Sequence, residues 1–410
     1  MQRTIKAIQK TYAVQAMLGL LGVLVGAVVG VLDVGFGKGL LYVSSLRTLH
    51  PWMFLPFLPL AGVLIAACYR RFGGKSSKGM NLVFAAGHGE EAEIPLRLIP
   101  LVVGSTWLTH LFGGSAGREG VAVQIGATVS HWVGRHLSIQ DASRIFLVVG
   151  MSEGFAGLFQ TPFAAILFGM EVLAAKELRS EALIPTLTAS ITAAMVSHRL
   201  GLEKFTVALT DSVPLDAVTL LKLTVLGVVF GVVGGLFAWL LKQAKQWAAN
   251  FWQNPLMRIA VMGVGLSIAF LLLGQGRYSG LGTNLIEACF AQQPIYAWDW
   301  ALKLLLTVLT LAAGFQGGEV TPLFSIGACL GSVLAGLVGL PVPVAAALGY
   351  AAVFGGASNT LLAPMLIGAE VFGFSYLPCF FVVCAVAYVF NANQCIYPLQ
   401  RRKSEEESQP

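Results

Sequence analysis

The chain has 410 residues, 56% of them hydrophobic and 11% charged, and a formal net charge of +6 at pH 7. Ordinary soluble domains carry about 25% charged residues, so this composition excludes a soluble globular protein and predicts an all-α polytopic membrane protein embedded in a lipid bilayer. The positive charge lies in the termini and short loops, without a basic stripe interleaved with aromatics, which points to anionic headgroups and away from nucleic acid. The six cysteines (68, 289, 329, 379, 384 and 395) have no metal-ligand spacing and read as buried thiols; no metal or cofactor is expected.

In chain order, Arg3, Lys6 and Lys10 precede a first apolar run, 13–32, long enough for a true span and not a cleavable signal. A second run, 52–69, ends in Arg70 and Arg71, followed by Lys75 and Lys78. Positive flanks favour the cytoplasmic side, so both the N-terminus and the loop 73–81 are expected there. The basic stretch Arg401-Arg402-Lys403 and the acidic tail after it place the C-terminus on the same side.

After an apolar run at 99–112 comes Gly113-Gly114-Ser115-Ala116-Gly117-Arg118-Glu119-Gly120-Val121, then an apolar helical run, 122–133. Glycines let backbone N–H groups face a small ligand, and a helix N-terminus adds positive partial charge. A carboxylate there resembles the anion such a nest would bind, so Glu119 is expected to compete with a transported anion. Intramembrane carboxylates are costly and mark function. Arg118 need not neutralise its neighbour, because adjacent side chains point apart.

Some later runs, such as 217–241 and 259–273, are full spans, whereas 122–133, 162–173, 322–338 and 361–372 are short or broken by Gly or Pro. A crossing needs about 20 helical residues, and broken helices are tolerated only where they line a cavity within the protein. An internal repeat sharpens this reading: 150–161 overlies 349–360, Glu171 meets Glu370, and Gln124-Ile-Gly-Ala127 meets Ser325-Ile-Gly-Ala328. The mate of the Glu119 stretch is then Gly317-Gly318-Glu319-Val320-Thr321-Pro322, with Pro322 in the first turn of a helix and Glu319 at its positive end. Glu171 and Glu370, at equivalent positions, read as packing or capping groups. The expected organisation is one membrane domain over 1–403, with repeats at about 13–198 and 217–400, a cytoplasmic tail at 404–410 and no accessory soluble domain.

From the residues alone Met80 reads as packing and Tyr397 as an interface tyrosine. Gly113-Gly114-Ser115-Ala116-Gly117 also fits the short Gly-x-Ser-x-Gly pattern of a serine nucleophile, which would need a histidine such as His131 or His198 beside it.

With these stretches in view, the chain resembles the CLC family of anion channels and anion/proton antiporters over nearly its whole length. Gly117-Arg118-Glu119-Gly120-Val121 is similar to the family's Gly-Lys/Arg-Glu-Gly-Pro motif, with valine in place of proline. The resemblance implies two inverted-topology repeats with broken and re-entrant helices, and a homodimer with one pathway per subunit. It also implies Glu119 as gate and proton acceptor and Tyr397 as a hydroxyl ligand. Lys78-Gly79-Met80-Asn81 stands where chloride members carry Gly-Ser-Gly-Ile-Pro, Gly318-Glu319-Val320-Thr321-Pro322 where they carry Gly-x-Phe-x-Pro, and Val172 where they carry an inner relay glutamate. All three departures resemble the fluoride/proton antiporter branch. That branch implies Glu119 and Glu319 as gating and proton-transfer groups, and Met80, Gly117, Arg118, Gly120, Val320, Thr321 and Tyr397 around the anion. The expectation is a secondary antiporter, not an enzyme, that exports fluoride against inward protons across a plasma (inner) membrane. A chloride or nitrate exchanger and a passive channel are the rival readings.

Overall fold

The computed structural model describes residues 2–174, 180–211, 213–291 and 293–401; the tail expected at 404–410 lies outside them, as do Arg402 and Lys403. The first half comprises α1 (Gln2–Leu49), α2 (Pro51–Phe54), α3 (Leu58–Cys68), α4 (Met80–His88), α5 (Leu98–Leu111), α6 (Glu119–Arg135), α7 (Ala142–Phe159), α8 (Pro162–Glu171) and α9 (Leu183–Arg199). The second comprises α10 (Ala217–Phe251), α11 (Pro255–Leu272), α12 (Thr283–Phe290), α13 (Asp299–Ala313), α14 (Val320–Val338), α15 (Val342–Ser358), α16 (Leu362–Phe372) and α17 (Leu377–Val389). Among the described residues, six helical stretches are long and apolar enough to cross a membrane, and α5, α8, α15 and α16 are shorter apolar helices. Helices too short to span alone can be held at membrane depth only by their neighbours.

Two helices outrun the apolar segments that announce them. α1 continues to Leu49 past Asp33, Lys38 and Arg47, and α10 continues to Phe251 past Lys242 and Lys245. Hydropathy stops at the first charges, but helical hydrogen bonding does not. The start of α10 is set by Asp216, whose carboxylate accepts from the Thr219 N–H at 2.8 Å, and that of α11 by Asn254, which accepts from the Leu256 N–H at 3.0 Å.

The helices α6, α7 and α8 of the first half correspond to α14, α15 and α16 of the second. A Cβ on Gly126 would overlap the Gly150 backbone, and one on Gly327 the Gly349 backbone, so α6 packs on α7 and α14 on α15 through the same small-residue contact. Glu171, at the end of α8, accepts hydrogen bonds from the Leu361, Leu362 and Ala363 N–H groups at the start of α16. Glu370, in α16, accepts from the Phe163 and Ala164 N–H groups at the start of α8, at 3.4 and 2.8 Å. Each half thus caps the other's helix, as expected of a two-fold relation, and the capping role of these glutamates is realised. Glu171→Ala, which orphans three amide donors at a buried helix start, should lower unfolding stability by about 2 kcal/mol. Glu370→Ala, with two donors, should cost less; thermal melts in detergent that rank them the other way would contradict this.

The repeats are inverted. α6 ends on the face that carries Lys75 and Lys78, where Arg135 pairs with Glu93 at 3.2 Å. α11 begins on that same face, its first turn lining one cavity with Tyr69, Arg70 and Ser77, so α10 ends there and starts on the opposite face. The end of α14 lies by that far start, where Lys222 donates to the Gly339 carbonyl at 2.8 Å. α6 and α14 therefore leave the middle of the protein in opposite directions.

Candidate functional site

The two helices start from paired loops. The Gly117 N–H donates to the Gly318 carbonyl at 2.5 Å and the Gly318 N–H to the Gly117 carbonyl at 2.8 Å, an antiparallel bridge between residues about half a chain apart. A Cβ on Gly117 would stand 2.9 Å from Pro322 Cδ and 3.0 Å from the Gly318 oxygen, so only glycine permits this approach. Both N-termini therefore converge, and their unpaired amides face one small region.

Glu119, the first residue of α6, is fully buried. Its Oε2 accepts from the Thr321 N–H at 3.1 Å, from the Thr321 hydroxyl and from the Arg118 N–H at 3.3 Å. The carboxylate thus sits among donors at the start of the other half's helix, whereas the sequence pointed to the amides of its own glycine-rich loop. Arg118 corrects the expectation of independence: its Nε lies 3.7 Å from Glu119 Oε1, an ion pair without a hydrogen bond. The pair forms between the atoms left over: Arg118 Nε and Glu119 Oε1 have no hydrogen-bond partner, whereas Oε2 is taken by Thr321 and the Arg118 N–H.

Glu319 is the residue that precedes α14, and Val320, Thr321 and Pro322 form its buried first turn. A Cβ on Gly120 would meet Gly318 at 3.4 Å, Met80 Cε at 3.8 Å and Glu319 Oε2 at 4.0 Å, so this glycine leaves a gap between methionine and carboxylate. Met80 is the first residue of α4, turned inward by Gly79 at φ +52°. The turn before it is clamped by Lys75 and Lys78, which hold Glu91 at 2.7 and 2.8 Å. These hydrogen bonds hold the Glu91 carboxyl down to about 2. A depressed carboxyl contributes its pairing above the ordinary glutamate range near ~4.3 and loses it as pH falls through the folded value. The Glu91 carboxyl carbon should therefore titrate by NMR near 2; a midpoint near the ordinary range would show that the clamp is absent in solution.

Tyr397 is 4% exposed, stacks on Phe84 with centroids 5.1 Å apart and lies within electrostatic reach of both Glu319 and Glu119. Gly117, Arg118, Glu119, Gly120, Met80, Glu319, Val320, Thr321 and Tyr397 are thus gathered at the two helix starts, and Val172 is buried at the end of α8. Sequence reasoning passed over Tyr350, which stacks on Phe324 at 4.1 Å and lies within electrostatic reach of Glu119 and Arg118. It also passed over Lys303, a fully buried lysine in an apolar helix, which intramembrane rarity could have flagged. Lys303 Nζ donates to Ser115 Oγ at 2.9 Å and to the Tyr278 and Gly280 carbonyls at 3.1 and 2.7 Å, holding the loop from behind. Ser115 also bonds Thr307 at 2.7 Å, while His131 faces the Ser143 and Ala92 carbonyls and His198 is exposed. Neither His131 nor His198 is a partner of Ser115, and the nearby His110 turns its ring nitrogens to the Thr106 and Ala116 carbonyls, at 2.9 and 3.0 Å, while the Ser115 hydroxyl bonds Thr307 and Lys303. Cys289 and Cys329, distant in sequence, bring their sulfurs to 3.9 Å within the core.

A family model described as voltage gated chloride channel (Voltage_CLC) matches residues 61–392. The chain belongs to the CLC family. Within that family it is 35% identical over 393 residues to a Pseudomonas syringae pv. tomato protein named "Chloride/fluoride channel protein", covering 94% of this chain and 86% of that one. Among solved CLC structures, one described as a CLC-type fluoride/proton antiporter superposes with a TM-score of 0.93 at 52% identity, covering 95% of this chain and 98% of the other. A slow cyanobacterial Cl−/H+ antiporter shares the CLC fold with a TM-score of 0.78 at 21% identity, covering 93% of this chain and 96% of the other. The paired helix starts are the feature on which this CLC fold converges here.

Proposed function

We propose that this chain is a fluoride/proton antiporter that exports fluoride against inward proton movement. The observation that carries this reading is the Glu119 carboxylate seated in the nest of Thr321, where a small anion would otherwise bind. The 52% identity to a structure described as a CLC-type fluoride/proton antiporter supports the choice of ion.

The mechanism follows from charge. As a carboxylate, Glu119 uses the Thr321 and Arg118 donors and blocks the anion. Protonation removes its charge and weakens those bonds, which leaves the donors to fluoride. Fluoride is small, strongly hydrated and a strong acceptor, so dehydration must be offset by strong donors. A protonated carboxyl is such a donor and disappears on ionisation, which links the anion to the proton. Glu319, beside Met80 and Tyr397, takes the place of the inner relay for which Val172 has no proton. Arg118 offsets negative charge at the nest, and Gly117, Gly120 and Val320 shape it.

The face with Arg70, Arg71, Lys75 and Lys78 is read as cytoplasmic, with both termini on it, in an inner membrane. The transporter works as a homodimer with one pathway per subunit and, in this reading, catalyses no chemical reaction. The test is an anion series in proteoliposomes: fluoride flux should persist in excess chloride and nitrate. Equal exchange of chloride or nitrate would replace this reading with that of an ordinary anion exchanger.

A further inference from the structure

The inner stripe of α10 contains a residue that packing does not explain. Ala238, Leu241 and Ala248 recur at helical spacing and are buried, and Lys245 occupies the position between the last two. Its side chain is 48% exposed, and its Nζ lies 3.8 Å from Glu319 Oε1; the Glu319 side chain is 16% exposed. Lys242, one turn earlier, is exposed. Lys245 thus extends from the face where α10 ends toward the start of α14.

The three side chains form a series. Glu119 has no exposed surface, Glu319 a little and Lys245 about half of its own. A proton leaving Glu119 toward the α10 end meets Glu319 first and Lys245 next. The 3.8 Å separation exceeds hydrogen-bond length, so the ammonium acts on Glu319 by charge and holds no fixed geometry. Among the described residues, the other titratable or charged groups near this region are Glu119 and Arg118 from the α6 start, Tyr350 from α15 and Tyr397 from the C-terminal segment. Glu119 and an ionised Tyr397 would both oppose the charge on Glu319, which leaves Lys245 as the cation in contact with it.

We propose that Lys245 is a positioning residue for proton release: it favours ionised Glu319, so that the proton leaves the Glu319 carboxyl for water at the α10 end and does not return to Glu119. The Glu319 O–H bond breaks, water accepts the proton, and the ammonium is unchanged. This inference rests on the antiport reading above.

Removing the ammonium makes the Glu319 carboxyl easier to protonate, so release should require higher pH. In proteoliposomes, Lys245→Met should move the pH of half-maximal fluoride flux upward by about half a unit, the scale of a partly exposed ion pair. Lys245→Arg should restore the wild-type midpoint, and Lys242→Met should leave it unmoved. In a Glu319→Gln background, Lys245→Met should produce no further shift. A Lys245→Met protein that is slower but has an unmoved midpoint would overturn the proposal, as would a shift that persists without Glu319. Fluoride flux without proton movement in the wild-type protein would overturn the antiport reading and this one together, whereas an unmoved midpoint overturns this one alone.

Discussion

Glu119→Gln should abolish proton movement while leaving the fold intact. The amide is nearly isosteric with the carboxyl, and the site already surrounds Oε2 with the Thr321 amide and hydroxyl and the Arg118 amide. A glutamine oxygen can accept from the same donors, so packing and helix start are preserved. What is lost is the change of charge, and with it both the proton site and the signal that clears the nest. Loss of a positioned proton-transfer group costs about a hundredfold or more in rate, so proton flux should fall to the background of empty liposomes. Full coupling in this variant would remove Glu119 from the role assigned to it.

Gly117→Ala should be the most damaging change of a single methyl group. The added carbon would press on Pro322 Cδ and the Gly318 carbonyl, both parts of the opposing loop. Pro322 is locked in the first turn of α14 and Gly318 is bonded to Gly117 itself, so neither is the free end of a flexible side chain. The loops must separate by some tenths of an ångström, which carries the Thr321 donors away from Glu119 and from any anion in the nest. Overpacking of this kind costs roughly 1–3 kcal/mol, and misplaced donors cost about tenfold or more in rate. A protein that melts a few degrees early and transports fluoride at under a tenth of the normal rate is the expected result. Unaltered flux would mean that the loop pairing does not shape the pathway.

Much of this was legible in the residues, for identifiable reasons. Glu119 and Glu319 stood out because a carboxylate beside apolar runs needs a partner or a function. The half-chain repeat placed Gly126 over Gly327 and Glu171 over Glu370, and those pairs hold equivalent places in the fold. Local sequence did not distinguish Met80 or Tyr397, because a methionine in an apolar segment and an interface tyrosine obey ordinary packing rules; family resemblance alone singled them out. The Gly117–Gly318 bridge, the Lys303 anchor and the Lys245–Glu319 pair each join residues dozens to hundreds of positions apart. No local pattern encodes such a distance. Lys245 lies beyond the apolar run 217–241, and only the buried residues around it mark the inward stripe of α10. Arg118 misled because neighbouring side chains usually diverge, but here the Arg118 Nε and Glu119 Oε1, both without a hydrogen-bond partner, meet at 3.7 Å.

The most direct test of the central claim records fluoride and proton movement together in proteoliposomes under an imposed fluoride gradient. Fluoride running down its gradient should drive protons the opposite way, against an opposing pH gradient, and Glu119→Gln should end this. Fluoride flux that leaves the pH untouched, with a reversal potential indifferent to the pH gradient, would contradict it.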